Sequence, residues 1–263
     1  RQVMALEMVP SSTTDIATSD RVIAVASGKG GVGKTVFAVS LAHAFSRIGQ
    51  HSLLFDGDLG LANVDIQLGL LPEKDLASVL AGKMTLKQSI TKFTDAGFDI
   101  IAGRSGSGTL STLPSQRLAA LGDNLLDLES DYDRIIMDLG AGVDRTVRVL
   151  GLRAKHCLVV TTDEPTAITD AYAFIKLTYG EQPNADIRIV VNMAESKARG
   201  MDTYDTLKSA CKNFLNKAPP LAGIIRRDNK VREAIRNQMP LLTRFPTSEA
   251  ATDIEAIARK LTN

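Results

Sequence analysis

The stretch "SGKGGVGKT" (residues 27–35) directly follows the apolar run "RVIAVA" and contains four glycines and two lysines. It satisfies the phosphate-loop pattern G-x-x-x-x-G-K-[ST]. The residues at the defined positions are Gly28, Gly33, Lys34 and Thr35. Glycines let the backbone turn so that successive N–H groups face one anion, and the helix that follows adds its positive end. The pattern predicts that Lys34 meets the phosphates of a nucleotide and that Thr35 binds Mg²⁺.

Seven short apolar runs, rich in β-branched residues, recur along the chain, and segments of helical length lie between them. The runs span 21–27, 51–56, 98–103, 133–139, 156–162, 187–192 and 221–225, and the clearest helical segments span 34–49, 115–130 and 166–180. Continuous apolar runs are typical of strands that are buried on both faces. The alternation predicts an α/β fold with a mostly parallel sheet of about seven or eight strands and helices on both faces.

Two further expectations concern domains. Residues 1–20 include a Ser/Thr-rich stretch and are expected to form a flexible N-terminal segment and linker, whereas 21–263 are expected to form a single P-loop ATPase domain. A helix docked on the body is expected over 248–263, because its apolar residues have helical spacing without the aromatic anchors of an interfacial helix.

Composition excludes several classes of protein. Apolar residues make up 44% of the chain and the formal net charge is +1, so nothing general favours nucleic acid or membrane binding. Cys157 and Cys211 lie far apart in apolar or helical contexts and are expected to be packing residues in a reducing compartment. No run reaches the length of a membrane span, and the N-terminal residues do not look like a signal peptide. These features favour a cytoplasmic protein.

The additional lysine of the loop, Lys29, indicates which family of phosphate-loop proteins the sequence resembles. A G-K-G-G-x-G-K-[ST] loop resembles the deviant phosphate loop of the MinD/ParA family of ATPases. The resemblance implies that Lys29 reaches across a homodimer to the nucleotide of the other subunit. There it would neutralise charge on the transferred phosphoryl group, as an arginine finger does. A solvated lysine on a loop is the alternative.

The same resemblance assigns nucleotide contacts to a run of loop residues. They are Gly28, Gly30, Gly31, Val32, Gly33, Lys34, Thr35 and Val36. Lys34 counts as catalytic as well, together with Lys29. ATP and Mg²⁺ are the implied cofactors.

Three carboxylates come at the ends of predicted strands. Asp56 ends the second run, Asp58 lies two residues after it, and Asp138 is the penultimate residue of the run at 133–139. Strand-end carboxylates in an α/β sheet can orient water and bind hydrated Mg²⁺. The resemblance implies that Asp58 orients the attacking water and that Asp56 and Asp138 act at the metal with Thr35. Charged turn residues are the alternative for the first pair, and the Leu139 that follows Asp138 replaces a threonine common in the family.

Candidate base contacts rest on the resemblance alone. Asn192 ends a strand where the family reads the adenine edge with an asparagine, and Arg226 and Asp228 lie in the segment that closes over the base. Glu164 falls where related dimers place a carboxylate near the partner's nucleoside. For Asn192 the alternative is a turn residue, and for Glu164 a surface charge. ATP is favoured because the N-K-x-D signature of G proteins is absent from the expected strand end.

Two longer stretches, "DLGLANVDIQLGL" (58–70) and "TTDEPTAITDAYAFIKL" (161–177), resemble the flagellar-number regulator branch of the family, the FlhG/FleN-like proteins. The resemblance implies a slow, partner-stimulated ATPase that dimerises with ATP. Its partners would be a flagellar FlhF-like GTPase and flagellar regulator or switch proteins. It also implies that the protein can lie peripherally at the inner membrane or cell pole, through a C-terminal helix that this sequence lacks.

Several alternatives stay open. A division-site ATPase of the MinD type or a DNA- or cargo-partitioning ATPase of the ParA type would share these motifs, and a ligase that activates a small carboxylate is a third class. In a partitioning protein the basic residues of 226–236 would bind DNA, whereas a solvated helix face is the other interpretation. "RQVMALE" (1–7) faintly resembles a short peptide that activates a partner GTPase, or it is a frayed tail.

Overall fold

The computed structural model describes residues 16–58, 64–70, 74–103 and 112–263. Its strands are β1 (Ser19–Ser27), β2 (Ser52–Gly57), β3 (Thr91–Phe93), β4 (Phe98–Ile101), β5 (Arg134–Ala141), β6 (Ala154–Thr161), β7 (Asp186–Ala194) and β8 (Leu221–Arg226). Its helices are α1 (Lys34–Arg47), α2 (Val64–Leu68), α3 (Leu76–Leu80), α4 (Ser115–Leu126), α5 (Arg145–Gly151), α6 (Pro165–Glu181), α7 (Lys197–Leu215), α8 (Asn229–Arg236), α9 (Leu241–Arg244) and α10 (Glu249–Thr262). Two 3-10 turns span Lys87–Ser89 and Glu129–Asp131.

The strands form one eight-stranded sheet in the order β3-β4-β2-β5-β1-β6-β7-β8. All seven predicted strands are present and pair in parallel, so the predicted fold class is confirmed. The edge strand β3 pairs antiparallel with β4 and was missing from the prediction. It has only three residues, Thr91–Phe93, and this is too short for a periodic pattern. The stretch at 1–7, which faintly resembles a GTPase-activating peptide, lies outside the described residues.

Burial on both faces explains why the strands are continuously apolar. In β1, Val22 and Ala24 belong to one hydrophobic core, whereas Ile23 and Val25 belong to the other. Successive side chains of a strand point to opposite faces, so an unbroken apolar run supplies both cores. Helices α4 to α7 contribute to the first core, and α1 and α8 to α10 contribute to the second.

The C-terminal helix α10 is docked on the body, as its sequence predicts. Ile254 and Ile257 are buried, and the Ser248 side chain caps the helix by accepting a hydrogen bond from the Ala251 N–H. The helix lies close to β8 because Gly223 has no side chain. A Cβ there would lie 2.4 Å from Cγ1 of Ile257.

Both cysteines are free thiols, as expected of packing residues. Cys211 is buried and Cys157 is half-buried. Burial raises the pKa of Cys157 to about 12 and that of Cys211 to about 11, so neither is a reactive thiolate at neutral pH.

The centre of the sheet positions the site. Strands β2, β5 and β1 are adjacent, and Asp56 of β2 pairs in register with Asp138 of β5. Asp138 in turn pairs with Val25 of β1, two residues before the phosphate loop begins at Ser27. The topology therefore brings three motifs that are distant in sequence to one edge of the sheet.

Candidate functional site at the carboxyl edge of the sheet

The loop between β1 and α1 depends on glycine at two positions with left-handed backbone. Gly31 has φ +81° and Gly33 has φ +79°, a region that other residues rarely adopt. Gly33 also has no room for a side chain, because a Cβ would lie 2.4 Å from Nδ2 of Asn192. That amide donates to the Val32 carbonyl at 2.9 Å. The end of β7 is thereby fixed against the loop.

Contacts at the start of the loop fix it to two other elements. A Cβ on Gly28 would lie 2.1 Å from the Asp170 carbonyl oxygen of α6, so this position requires glycine. The Ser27 hydroxyl donates to the Lys29 carbonyl at 2.9 Å, and the Ser27 carbonyl accepts from the Gly142 N–H at 2.8 Å. The loop is thus tied to the segment that follows Asp138.

Lys34 lies in a buried, charged cluster. Its side chain is 6% exposed, and its ammonium donates to Oδ1 of Asp138, which is fully buried. The Thr35 hydroxyl donates to Oδ2 of the same carboxylate at 2.9 Å. The structure therefore brings together three of the residues predicted for phosphate and metal contacts.

Asp56 and Asp58 complete this cluster. Asp56 is fully buried and accepts hydrogen bonds from the N–H groups of Asp58 and Val64, both at 3.4 Å. Burial, and then the neighbouring Asp138 carboxylate, raise the pKa of Asp56 to about 8. Burial also raises the pKa of Asp58, against the opposing effect of the Lys34 ammonium. The carboxyl groups of Asp56 and Asp138 are held close to each other away from water, and this arrangement favours a cation between them.

The residues present fit Mg²⁺ and a nucleoside triphosphate. Thr35, Asp56 and Asp138 supply only oxygen donors, and Mg²⁺ is a hard cation that prefers them. No group of three or more His, Cys, Asp or Glu side chains suited to a metal occurs in the part of the chain that the structure describes. Mg²⁺ is usually bound through one or two carboxylates together with substrate phosphates and water.

Asp58 lies beside Gly140, the second residue after Asp138. A Cβ on Gly140 would lie 3.3 Å from Oδ1 of Asp58, so the two strand-end segments touch at this point. Leu139, where the sequence differs from the family that it resembles, has its side chain buried in the core. The difference at Leu139 therefore affects packing in the core beneath the site. Asp58 remains next to the cluster.

Lys29 is in a different environment from Lys34. Its side chain is 36% exposed, and its ammonium donates to Oε2 of Glu164 at 3.1 Å and to the Thr166 hydroxyl at 2.7 Å. Glu164 is itself 65% exposed and precedes the first turn of α6. The structure thus joins two of the predicted residues, Lys29 and Glu164, on the surface of a single chain and away from the Lys34 cluster.

A cavity of about 370 Å³ adjoins the phosphate loop and is large enough for a nucleobase and its sugar. Its lining residues include Gly33, Val36, Phe37, Asn192, Met193, Arg226, Asp228, Val231, Ala250 and Ile254. Met193 has φ +53°, a strained conformation for a residue other than glycine. Backbone strain of this kind is concentrated at binding sites, and here it lies beside Asn192.

Arg226 and Asp228 line this cavity, but both are engaged in holding the fold. The Arg226 guanidinium donates to both carboxylate oxygens of Asp253 at 3.0 and 3.1 Å. Asp228 caps α8 by accepting from the Lys230 N–H at 2.9 Å, and it also accepts from the Ala250 N–H at 3.0 Å. They shape the wall of the cavity and join α8 to α10.

The basic segment 226–236 is interrupted by acidic partners. Arg226 pairs with Asp253, and Lys230 pairs with Glu233 at 3.4 Å. Pairing within the chain agrees better with a solvated helix face than with a phosphate-binding surface.

Some site residues were missed by reasoning from the sequence. Thr166 contacts Lys29 through a hydroxyl within a helix start that reads as an ordinary first turn, and Ser27 closes the loop from the last position of β1. Ile254 and Ala250 reach the cavity from the far end of the chain. Only Thr166 lies in a stretch that the family resemblance singles out.

Helices of the described residues include none that is both long and apolar enough to span a bilayer.

Comparisons with known proteins agree with this geometry. The family model of the CobQ/CobB/MinD/ParA nucleotide-binding domain matches residues 23–241. The chain is 37% identical to the antiactivator FleN of Pseudomonas aeruginosa, over 92% of this chain and 86% of that protein. It is 32% identical to the flagellum site-determining protein YlxH of Helicobacter pylori, over 95% and 84% of the two chains.

A solved structure shares the fold. The septum site-determining protein MinD of Pyrococcus horikoshii in complex with Mg-ADP superposes with a TM-score of 0.78 at 24% identity, over 92% of this chain and 95% of that one. At this identity the match supports the architecture of the sheet and helices.

Proposed function

Since the chain belongs to the CobQ/CobB/MinD/ParA family of nucleotide-binding proteins, we propose that it is an ATP-driven switch that pairs with a second copy of itself and controls flagellar number or placement. It is an ATPase that uses Mg²⁺, as the family match indicates. The single observation that carries the switch is the contrast between the loop lysines, with Lys34 buried at Asp138 and Lys29 exposed on Glu164.

Each lysine has a distinct role in the proposal. Lys34 binds the phosphates within its own chain, because its ammonium is fixed inside the site. Lys29 leaves Glu164 and Thr166 and reaches the nucleotide of the second copy, which needs the mobility of a surface side chain. Two ammonium groups then neutralise one set of phosphates, and charge neutralisation in the transition state accelerates the reaction.

The carboxylates perform the remaining steps. ATP supplies the phosphoanhydride bond, and Mg²⁺ offsets the charge of its phosphates. Thr35 and Asp138 would hold the metal together with Asp56, which pairs in register with Asp138 on the neighbouring strand. Asp58 accepts a hydrogen bond from the attacking water and orients it, and its proximity to Lys34 and Asp138 supports this role. Hydrolysis gives ADP and inorganic phosphate. Departure of the phosphate removes the charge that the two ammonium groups share, and the two copies separate.

The base end of the site favours adenine in this proposal. The Asn192 amide and the cavity beside Gly33 would accept the base, with Arg226 and Asp228 in the wall. Glu164 would turn to the nucleoside of the partner once Lys29 has left it. These roles are supported by position only, since Arg226 and Asp228 already have partners within the chain.

The flagellar role is supported by the 32% identical relative whose name is flagellum site-determining protein YlxH. The 37% identical antiactivator FleN agrees with it, because the sequence resembles the FlhG/FleN-like branch. We propose that the ATP-bound dimer is the form that partners recognise, among them flagellar regulator or switch proteins and an FlhF-like GTPase. We also propose that it acts in the cytoplasm, at times against the membrane surface. The one continuous sheet supports a single ATPase domain over 21–263.

Size-exclusion chromatography with light scattering tests the switch. Asp58→Ala should bind Mg-ATP and remain dimeric because the cycle stops before hydrolysis, whereas Lys34→Ala on its own should stay monomeric at an ATP concentration that saturates the wild type. The flagellar role is tested separately, by expressing each variant in a flagellated strain that lacks its own regulator of this family and counting flagella per cell. A dimer that leaves flagellar number unchanged would contradict the flagellar role and leave the switch intact.

A further inference from the structure

We propose that a groove between α5 and α6 binds the apolar N-terminal segment of the same chain, "VMALEMV" (3–9). Every residue of this segment except Glu7 is apolar. The proposal gives that segment a docking site within its own chain.

The groove consists of two adjoining hollows. The first is a narrow crevice with apolar lining residues that include Leu139, Val143, Val147, Leu152, Phe174 and Leu177. The second, of about 410 Å³, is lined by residues of α5 and α6 and by Ile16. Arg148 and Leu152 line both hollows, so the two are continuous. We call this surface the α5/α6 groove.

Two large apolar side chains that line the α5/α6 groove are exposed. Val143 is 42% exposed and Leu177 is 37% exposed, on opposite elements of the groove. The ion pair between Arg148 and Glu181 crosses from α5 to α6 at the junction of the two hollows. An apolar floor with a polar rim is the usual form of a site for an apolar peptide segment.

The path of the chain itself identifies the occupant. Ile16, the first described residue, already lines the second hollow. Ser19 then pairs with Ala154 of β6 and donates its N–H to the Arg153 carbonyl at 3.3 Å. Ala154 lines the crevice, so the residues that precede β1 enter directly beside the groove.

Chain length and tethering favour docking within one molecule. Residues 10–15 separate the apolar segment from Ile16, and six extended residues span roughly 20 Å. A short tether raises the effective concentration of a segment to the order of millimolar, so weak apolar contacts suffice. A second copy would lack this advantage.

The place of the groove gives docking a consequence. Leu139 and Val143 line the crevice and follow Asp138 in the chain. A docked segment would therefore pack against the strand end that carries the buried carboxylate.

Site-specific photo-cross-linking tests the proposal in the full chain. A benzophenone amino acid replaces Leu177 in the groove or, as a control, Met201 of α7, which is 40% exposed and lies outside the groove lining. Irradiation at low protein concentration, followed by peptide mass spectrometry, should give about tenfold more cross-link to residues 3–9 from position 177, the ratio that about 1.4 kcal/mol of docking produces. Equal yields from both positions would overturn the proposal.

Substitutions in the segment sharpen this test. With the probe at position 177, Leu6→Glu should lower the cross-link to the level of the control position, because it places a charge in the apolar groove. The neighbouring Glu7→Gln should retain it. A yield that rises with protein concentration would assign the groove to a second copy and contradict docking within one chain.

Discussion

The two lysines of one loop lie only five positions apart, yet they occupy opposite environments. Lys34 is 6% exposed and held by the fully buried Asp138, whereas Lys29 is 36% exposed and held by Glu164 and Thr166 at the surface. Burial fixes one ammonium in place, and exposure leaves the other free to change partners. This difference supports the proposal that one loop binds a nucleotide within its own chain and supplies a cation to a second chain.

The largest expected effect is on hydrolysis by Lys29→Ala. Removal of a cation that neutralises charge on the transferred phosphoryl group should lower the hydrolysis rate by roughly 100- to 1000-fold. Nucleotide affinity should change little, because Lys34 remains. A coupled phosphate-release assay and titration with a fluorescent ATP analogue measure the two quantities, and Lys29→Arg is the matched control that keeps the charge. Loss of affinity with unchanged hydrolysis would reverse the roles of the two lysines.

Lys34→Ala should act on binding itself. The loss of a buried, charged hydrogen-bond donor to phosphate should weaken Mg-ATP affinity by about 3 kcal/mol, or roughly 100-fold. Isothermal titration calorimetry measures this affinity directly. The far-UV circular dichroism of the variant should match that of the wild type, since its neighbours at the site are polar. Affinity within twofold of the wild type would show that the buried lysine is not the main phosphate ligand.

Asp56→Asn tests how much the buried carboxyl group lowers the stability of the folded protein without ligand. The pKa of Asp56 rises from 3.8 to about 8 in the folded protein, so between these values the folded form holds a proton that the unfolded form releases. Stability without ligand should therefore fall as pH rises from 4 to 8, and Asp56→Asn should remove this part of the fall. Denaturant unfolding at pH 7 should show the variant more stable by about 1–3 kcal/mol.

The control for Asp56→Asn is unfolding in the presence of Mg-ATP. The wild type should then gain more stability than the variant, because the metal offsets the carboxylate charge. A variant that is less stable than the wild type without ligand, at every pH, would contradict the inference that this carboxyl is costly in the empty site.

The smallest effect is expected from Glu164→Gln at the surface. Exposed ion pairs contribute at most about 1 kcal/mol, so release of Lys29 should strengthen ATP-dependent dimerisation by no more than about fivefold. Thr166→Val is the matched control, because it removes the other oxygen that Lys29 contacts. Analytical ultracentrifugation with ATP measures the dimer. Weaker dimerisation of Glu164→Gln would show that the carboxylate serves the partner's nucleoside more than it holds Lys29.

The sequence predicts the buried half of the site better than the exposed half. Each predicted parallel strand is a run of apolar residues buried on two faces, and its carboxyl end places Asp56 and Asp138 next to the loop. These positions follow from local pattern and from the rules of parallel sheets. The edge strand Thr91–Phe93 was missed because it has only three residues and its central residue, Lys92, is exposed.

Contacts between distant parts of the chain could not be predicted. Ile254 lines the cavity beside the phosphate loop because α10 packs on β8, and Asp253 holds Arg226 for the same reason. No local pattern in either segment records the other. The pairing of Lys29 with Thr166 likewise depends on how α6 packs against the loop at Gly28.

Mixed dimers test most directly whether Lys29 acts on the nucleotide of the other chain. Lys29→Ala protein keeps the lysine that binds ATP, and Lys34→Ala protein keeps the lysine to be donated. Native mass spectrometry with ATP would first establish that the mixed dimer forms. We predict that the mixture then hydrolyses ATP well above the sum of the two variants alone, because one complete site exists in each mixed dimer. A mixed dimer that forms and is no more active than its separate components would contradict the account.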